Sequence, residues 1–167
     1  MLTIRKTETG DIDRVVELYE GAKVRMHSGG NPTQWAQGTP NRGTLERDMQ
    51  NGNSYVVCRE DGEVAGTFAY IIGADPGYVR IEGAWLNEEE YGTLHRVASD
   101  GVTKGITRAA VEYCLKRLNN LRIDTHRNNL PMRAAVAALG FSYCGIIHLN
   151  NGEADDARMA FQKTTLR

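Results

Sequence analysis

Ser99-Asp100-Gly101-Val102-Thr103-Lys104-Gly105-Ile106 sets two glycines and a lysine between a β-rich run, Thr93 to Ser99, and a helical one. Beyond it, Ile106, Ala109, Ala110, Tyr113 and Cys114 recur at i, i+3, i+4, i+7 and i+8, which predicts a helix with one buried stripe to about Leu118. Leu121 to His126 reads as the next strand. Met132, Ala135, Val136 and Leu139 form the stripe of a second helix that stops at Gly140. Strand, tight loop, helix, strand and helix in succession make a crossover unit. Its loop sits at a helix N-terminus, where unpaired N–H groups and a partial positive charge accept an anion such as pyrophosphate. From these residues alone two readings stay open: a loop for a phosphorylated cofactor, or a glycine-rich turn with an incidental lysine. A Walker loop is excluded because lysine precedes the second glycine, and the dinucleotide fingerprint also fails.

Downstream, Phe141 to Leu149, a turn at Asn150-Asn151-Gly152 and Ala157 to Lys163 read as a hairpin. Upstream, a polar, Gly-rich connection containing Glu82, Trp85 and Tyr91 precedes the Thr93 strand. Ser54 to Cys58 and Val64 to Ile72 are β-rich runs joined across Glu60-Asp61-Gly62-Glu63, where Asp-Gly is expected to supply the positive φ angles of a tight turn. Thr44 is read as the cap of a short helix through Met49. The stretch from Ser28 to Gly43 is a long aperiodic loop with Trp35 as its apolar anchor. Leu2 to Lys6 alternates as a strand, and Ile12, Val15, Val16 and Tyr19 recur at helical spacing. The order β, α, α, β, β, β, α, β, α, β, β implies an α/β (α+β) chain with a mixed sheet, read as one domain over residues 1–167.

The 167 residues carry a net charge of −1, with 41% apolar and 25% charged side chains, which are ordinary globular values. Such a balance argues against non-specific nucleic-acid binding. Cys58, Cys114 and Cys144 lie in apolar runs as reduced thiols do, which fits a cytoplasmic protein. No apolar stretch reaches the roughly 20 residues of a membrane helix, and Met1 to Lys6 lacks a signal-peptide core. No membrane or nucleic-acid partner is expected.

His95-Arg96-Val97-Ala98, Lys104-Gly105-Ile106, Leu121 to Asn129, Leu139-Gly140-Phe141 and Cys144-Gly145-Ile146-Ile147, at their spacing, resemble the cofactor core of the GNAT superfamily of acetyltransferases. The resemblance covers nearly the whole chain. It implies a mostly antiparallel, splayed six- to seven-stranded sheet with about four helices on both faces, and acetyl-CoA as cosubstrate without a metal. It also implies that the strand carrying Val97, Ala98 and Ser99 holds the pantetheine arm by its backbone, that the amides of Val102, Thr103, Lys104, Gly105, Ile106 and Thr107 receive the pyrophosphate, and that Asn129 lies near the pantetheine. Two departures stand out. The family loop has Arg or Gln, Gly, and Gly or Ala where this chain has Val102, Gly105 and Thr107, and it is about two residues longer, a difference associated with a bacterial subfamily of unknown substrate. The helix tyrosine that protonates the leaving thiolate in many members falls on Val136.

The implied activity is transfer of an acetyl group to the amine of a small molecule or peptide by direct attack in a ternary complex. The alternatives are a catalytically silent acyl-CoA-binding regulatory module and, last, an interaction domain. An amine must lose a proton before it attacks, so a carboxylate or imidazole is needed; Glu82 and His95 are the candidates, against a solvated carboxylate and a backbone-bonded histidine. Tyr143 and Tyr91 are candidate acids, and the Val97 amide a candidate oxyanion donor. Trp35, Trp85 and Tyr91 are candidates for the acceptor wall. Arg122, Arg127 and Arg133 cluster where a 3'-phosphate would lie, or on a solvated face. Asp124 and His126 share a strand face but have no third ligand, so no metal site is read. His27 and His148 are left structural, Cys114 and Cys144 have no histidine partner in sequence, and Glu88-Glu89-Glu90 is the acidic run a polycationic amine would use. Exposed edge pairing of the C-terminal hairpin permits a homodimer.

Overall fold

The structure, a computed structural model, describes residues 1–35 and 38–165. The elements are β1 (Thr3–Lys6), α1 (Ile12–Ser28), α2 (Arg42–Gln50), β2 (Ser54–Cys58), β3 (Val64–Ile72), β4 (Glu82–Gly83), β5 (Gly92–Ser99), α3 (Ile106–Arg117), β6 (Asn120–Thr125), α4 (Leu130–Ala138), β7 (Ser142–His148) and β8 (Ala157–Thr164). They form one open sheet in the order β1-β2-β3-β5-β6-β8-β7-β4, antiparallel throughout except between β5 and β6. The sheet has eight strands rather than six or seven. The additional one, β4, is two residues of the polar connection, and it docks on β7 where Gly83 faces Gly145 with no room for a side chain on either.

Helices cover both faces. On one, Ile12, Val15, Leu18, Tyr19 and Ala22 of α1 and Leu45 of α2 pack on Val56, Cys58, Val64 and Ala98. On the other, Ile106, Ala110, Val111 and Cys114 of α3 and Val136 of α4 pack on Tyr55, Val57, Phe68, Leu94, Leu121 and Ile123. That double cover is why every residue of β2 is buried and why its sequence is apolar from Tyr55 to Cys58 without alternation.

Local chemistry sets the boundaries. The side chain of Asn41 accepts from the Thr44 amide while the Thr44 hydroxyl accepts from the Asn41 amide, so Asn41 caps α2 and Thr44 closes a capping box from inside the helix. In the β2–β3 turn only Gly62 has a positive φ, 85°, and its amide donates to the Arg59 carbonyl. The turn therefore closes as a bend followed by one left-handed glycine, with Asp61 in ordinary backbone space.

Candidate functional site

β5 is bent at its centre. Ala69 pairs with His95 and Thr67 with Ala98, so Arg96 and Val97 together oppose Phe68 in a β-bulge. Arg96 takes φ 53°, a left-handed conformation that costs any residue with a Cβ energy, and its guanidinium is held there by two hydrogen bonds to Asp48, at 2.7 and 2.8 Å. On its other side β5 pairs with β6 only at Gly92–Leu121 and Thr93–Arg122. Beyond Thr93 the two strands part, and among the described residues the β6-facing edge of His95 to Ser99 has no strand partner. The bulge and the lost pairing open a V in the sheet.

Three adjoining cavities follow that V. One of about 320 Å³ lies beside the start of α3, between Ser99, Gly105, Thr107 and Leu139. A second of about 570 Å³ runs along Val97, Ala98 and Ser99 between α1 and the start of α4, and a third of about 290 Å³ reaches His95 and Asp124. Ser99, Thr107 and Ala135 line both the first and the second, and Met26, Val97, Asn129 and Met132 both the second and the third, so the path is continuous.

At the α3 end Gly105 is the N-cap in the left-handed region, without a capping side chain. The amides of Ile106, Thr107 and Arg108, in the first turn, have no helical acceptor. The amides of Val102 and Thr103 are not free in the same way. Asp100 Oδ1 accepts from both, at 3.0 and 2.7 Å, and Oδ2 accepts from the Thr103 hydroxyl, with Arg59 3.3 Å away. Burial alone would raise the Asp100 carboxyl; the Thr103 and Val102 hydrogen bonds and Arg59 outweigh it and hold the group below its ordinary range. The loop is thus pre-shaped by its own carboxylate, and the amides that Asp100 does not satisfy begin after Thr103. Asn129 lines the path, but its Oδ1 caps α4 by accepting from Met132 and its Nδ2 donates to Gln34.

At the other end His95 Nε2 lies 3.0 Å from Asp75 and its Nδ1 faces Asp124 at 4.0 Å. Asp75 is held below its ordinary pKa by the hydrogen bond to His95 and by the Gly77 amide, against the effect of burial. Tyr78, wholly buried, is pushed well above the usual phenol range by desolvation and by Asp124, so it stays protonated and donates to Asp124 at 2.6 Å. Two atoms 4.0 Å apart can both lie about 2.9 Å from one amine nitrogen, so Nδ1 and Asp124 together can hold an amine.

Of the residues the sequence nominated, the structure brings His95, Val97, Trp35 and Asn129 to this path. It leaves Glu82 elsewhere: that carboxylate is exposed on β4, 2.7 Å from His148, whose other nitrogen meets Asp156. His148 therefore has two acidic partners. Tyr143 is exposed and packs edge-on against Phe161, away from the cavity lining. Trp85 and Tyr91 belong to a separate cluster with Tyr78 and Ile147, where their rings sandwich the Arg122 guanidinium at 4.1 and 3.8 Å, so Arg122 is buried under them. Tyr91 contributes instead by accepting a hydrogen bond from the Asp75 amide, which fixes the partner of His95. Arg127 pairs with Asp155, and Arg133 donates to the Arg127 carbonyl. Asp124 and His126 part company, for β6 ends at Thr125 and His126 turns to Asp155, 2.7 Å away; among the described residues no group of acidic, His and Cys side chains could hold a metal. Burial raises the thiol pKa of Cys114 and of Cys144, which keeps both as unreactive thiols. Sequence reasoning missed Asp75, Tyr78 and Asp48; the only local signal was the Asp75-Pro76-Gly77 turn.

An open, mostly antiparallel sheet splayed at its single parallel pair, with a groove from the splay to a helix N-terminus, defines the GNAT fold. No family model matches the chain, and no curated protein matches its sequence. Solved structures do. A GNAT-family acetyltransferase from Streptococcus agalactiae is 29% identical with a TM-score of 0.88, over 99% of this chain and 96% of that one. A phosphinothricin acetyltransferase from Sinorhizobium meliloti, solved in complex with AcCoA, is 16% identical over 98% and 88% with a TM-score of 0.64. The ribosomal-protein-S18-alanine N-acetyltransferase of Escherichia coli is 16% identical over 98% and 94%, at 0.63. The chain has the GNAT fold, and its likeness to these solved structures supports membership of the GNAT superfamily.

Proposed function

We propose that the chain is an acetyl-CoA-dependent N-acetyltransferase that acts on a primary amine by direct attack in a ternary complex. The observation that supports this most is the end of β5–β6 pairing at Thr93–Arg122, which leaves a strand edge, a groove and a free helix N-terminus in one line that leads to His95. The residues present fit acetyl-CoA: the first-turn amides of α3 for the pyrophosphate, the open edge of Val97 to Ser99 for the amides of the arm, and Met132, Leu130 and Ala135 for its apolar stretches. When bound, acetyl-CoA supplies an activated thioester carbonyl and a thiolate leaving group.

His95 takes the proton from the incoming ammonium. Asp75 receives Nε2–H, which fixes the tautomer and leaves the Nδ1 lone pair toward the cleft; Asp124, kept in place by Tyr78, holds the amine beside it. The Val97 amide stabilises charge developing on the carbonyl oxygen. Val136 is fully buried and replaces the helix tyrosine, so no side chain on α4 protonates the thiolate, which is a good leaving group unaided.

Thermal melting with acetyl-CoA, CoA and ATP in parallel tests the cofactor half. A ligand at 100 times its Kd adds about 2.7 kcal/mol. Stabilisation by both CoA compounds but not by ATP is expected, and no shift at millimolar acetyl-CoA refutes the reading. A shift without thiol release from any amine favours the silent binding module, a reading that the missing α4 tyrosine also supports.

A further inference from the structure

Arg158 is 2% exposed, yet among the described residues it has no acidic partner. Its guanidinium is held by main-chain carbonyls alone: Nη1 donates to Asp155 and Ala157, and Nη2 to Gln34. Among the described residues no carboxylate lies within salt-bridge distance of it, whereas Arg96, the other arginine on the cleft wall, is neutralised by Asp48. Burying a cation without a counter-ion is costly, and carbonyl dipoles offset only part of that cost. Among the described residues the Nε donor has no partner, and it is not sealed from solvent. Arg158 therefore presents an unmatched positive charge to the 290 Å³ end of the path, where His95 and Asp124 stand.

The geometry also sets the scale. Asp124 on β6 pairs directly with Ala160 on β8, and Arg158 is two residues from Ala160 on the same face. Two residues of strand span about 6.6 Å, so the proton-accepting end and the cationic end of the cleft are a small molecule apart.

We infer that the acceptor is a small amine that carries a carboxylate, that is, an amino acid. Its carboxylate pairs with Arg158 and its amine is delivered to His95 Nδ1 and Asp124. The inference rests on the acetyl-transfer reading above. Glu153, on the β7–β8 turn, also lines this cleft. With Asp124 it makes that part of the wall acidic, which suits an ammonium group; a polyamine would meet that wall too, but it would leave Arg158 unpaired and bring a second cation against it. A carboxylate-bearing amine satisfies both ends.

The test uses the full chain with acetyl-CoA and reads thiol release. The acceptors are the L-amino acids, each beside its own carboxamide, with spermidine as the cationic control. At least one amino acid is expected to exceed its carboxamide in kcat/KM by about 100-fold, the scale of losing one partner of a buried charge pair. In Arg158→Gln that ratio is expected to collapse to a few-fold while acetyl-CoA still raises the melting temperature. Equal or better turnover of carboxamides or spermidine overturns the inference, as does a ratio that survives Arg158→Gln, or no turnover of any amino acid by a chain that acetyl-CoA stabilises. If the variant does not fold, the acid-to-carboxamide ratio of the unaltered chain decides alone. Failure of acetyl-CoA to stabilise the unaltered chain refutes the acetyl-transfer reading first, and the inference with it.

Discussion

Gly66 lies on β3 opposite the first residue of α3, and replacing it with alanine tests whether the helix end holds the cofactor. A Cβ there would stand 2.5 Å from Ile106 Cγ2 and 3.3 Å from the Ala98 carbonyl oxygen. Carbon atoms in contact normally sit about 3.5–4.0 Å apart, so the deficit is about 1 Å. Ile106 cannot swing clear, because Cγ2 is bonded to Cβ and a β-branched residue in a helix has essentially one χ1 rotamer. The N-terminus of α3 must therefore move. Overpacking of this kind costs about 1–3 kcal/mol, which for a chain of this size lowers the melting temperature by about 3–10 °C. The amides of Ile106, Thr107 and Arg108 move with it, and losing good geometry at one charge-assisted hydrogen bond weakens binding about tenfold or more. At a concentration of acetyl-CoA that is 100 times the original Kd, the stabilisation then falls from about 2.7 to about 1.4 kcal/mol.

Melting curves with and without acetyl-CoA measure both quantities. Gly10→Ala is the control, since a Cβ at Gly10 meets nothing within 4 Å and its φ is not positive. If Gly66→Ala melts like the unaltered chain, the contact with Ile106 is not tight. If it melts lower but keeps the full acetyl-CoA shift, the first turn of α3 is not where the anion binds.

His95→Gln is expected to lower kcat by about 100-fold or more with little change in acetyl-CoA stabilisation, the range for loss of a general base; an unchanged kcat removes His95 from the chemistry. Glu82→Gln and Tyr143→Phe are expected to leave steady-state rates within a few-fold, because both side chains stand outside the cavity lining, and a large loss in either would restore it as a catalytic candidate. The hydrogen bonds of His148 to Asp156 and then Glu82 raise its imidazole above the ordinary 6.5. A raised pKa contributes stability that is present below the unfolded value and is lost as pH rises through the folded one, so the melting-temperature gap between the unaltered chain and His148→Gln should be wide near about pH 5.5 and close by about pH 9. A gap independent of pH would mean that the imidazole contributes by packing alone.

Regular periodicity carried the sequence reading where one face is buried against one layer, as in α3, whose apolar stripe needed only Val111 added. It failed where distant backbone decides. β4 exists because Gly83 and Gly145, far apart in sequence, can touch, and nothing in residues 82 and 83 announces a strand. The same docking takes Glu82 to His148 on the outer edge of the sheet, although its place just before the central strand made it look catalytic. The bulge at Arg96 depends on Asp48, which lies on a different element. His95 was legible because it sits on the central strand. Its partners were not, since Asp75 and Tyr78 come from a turn-rich connection that only the fold brings back over β5 and β6.

The departure of the loop at Val102 to Thr107 from the family pattern has a physical reading in the structure. A family loop with arginine or glutamine at its start spends that side chain at the beginning of the turn; here Val102 is exposed at that position, and Asp100 does the shaping by drawing the Val102 and Thr103 amides onto itself. An unneutralised carboxylate here would repel the pyrophosphate of the proposed cofactor, and Arg59 from the β2–β3 turn stands against Asp100 at 3.3 Å. The hydrogen bonds that satisfy Asp100 also fix the direction in which the chain enters Gly105, whose left-handed φ of 85° turns the next amides outward as the first turn of α3. Shortening and substitution of the loop thus remove side-chain and amide donors at its start while leaving intact the part that a helix N-terminus supplies by geometry alone. Thr107 is compatible with that arrangement because its amide, not its side chain, is what the first turn presents.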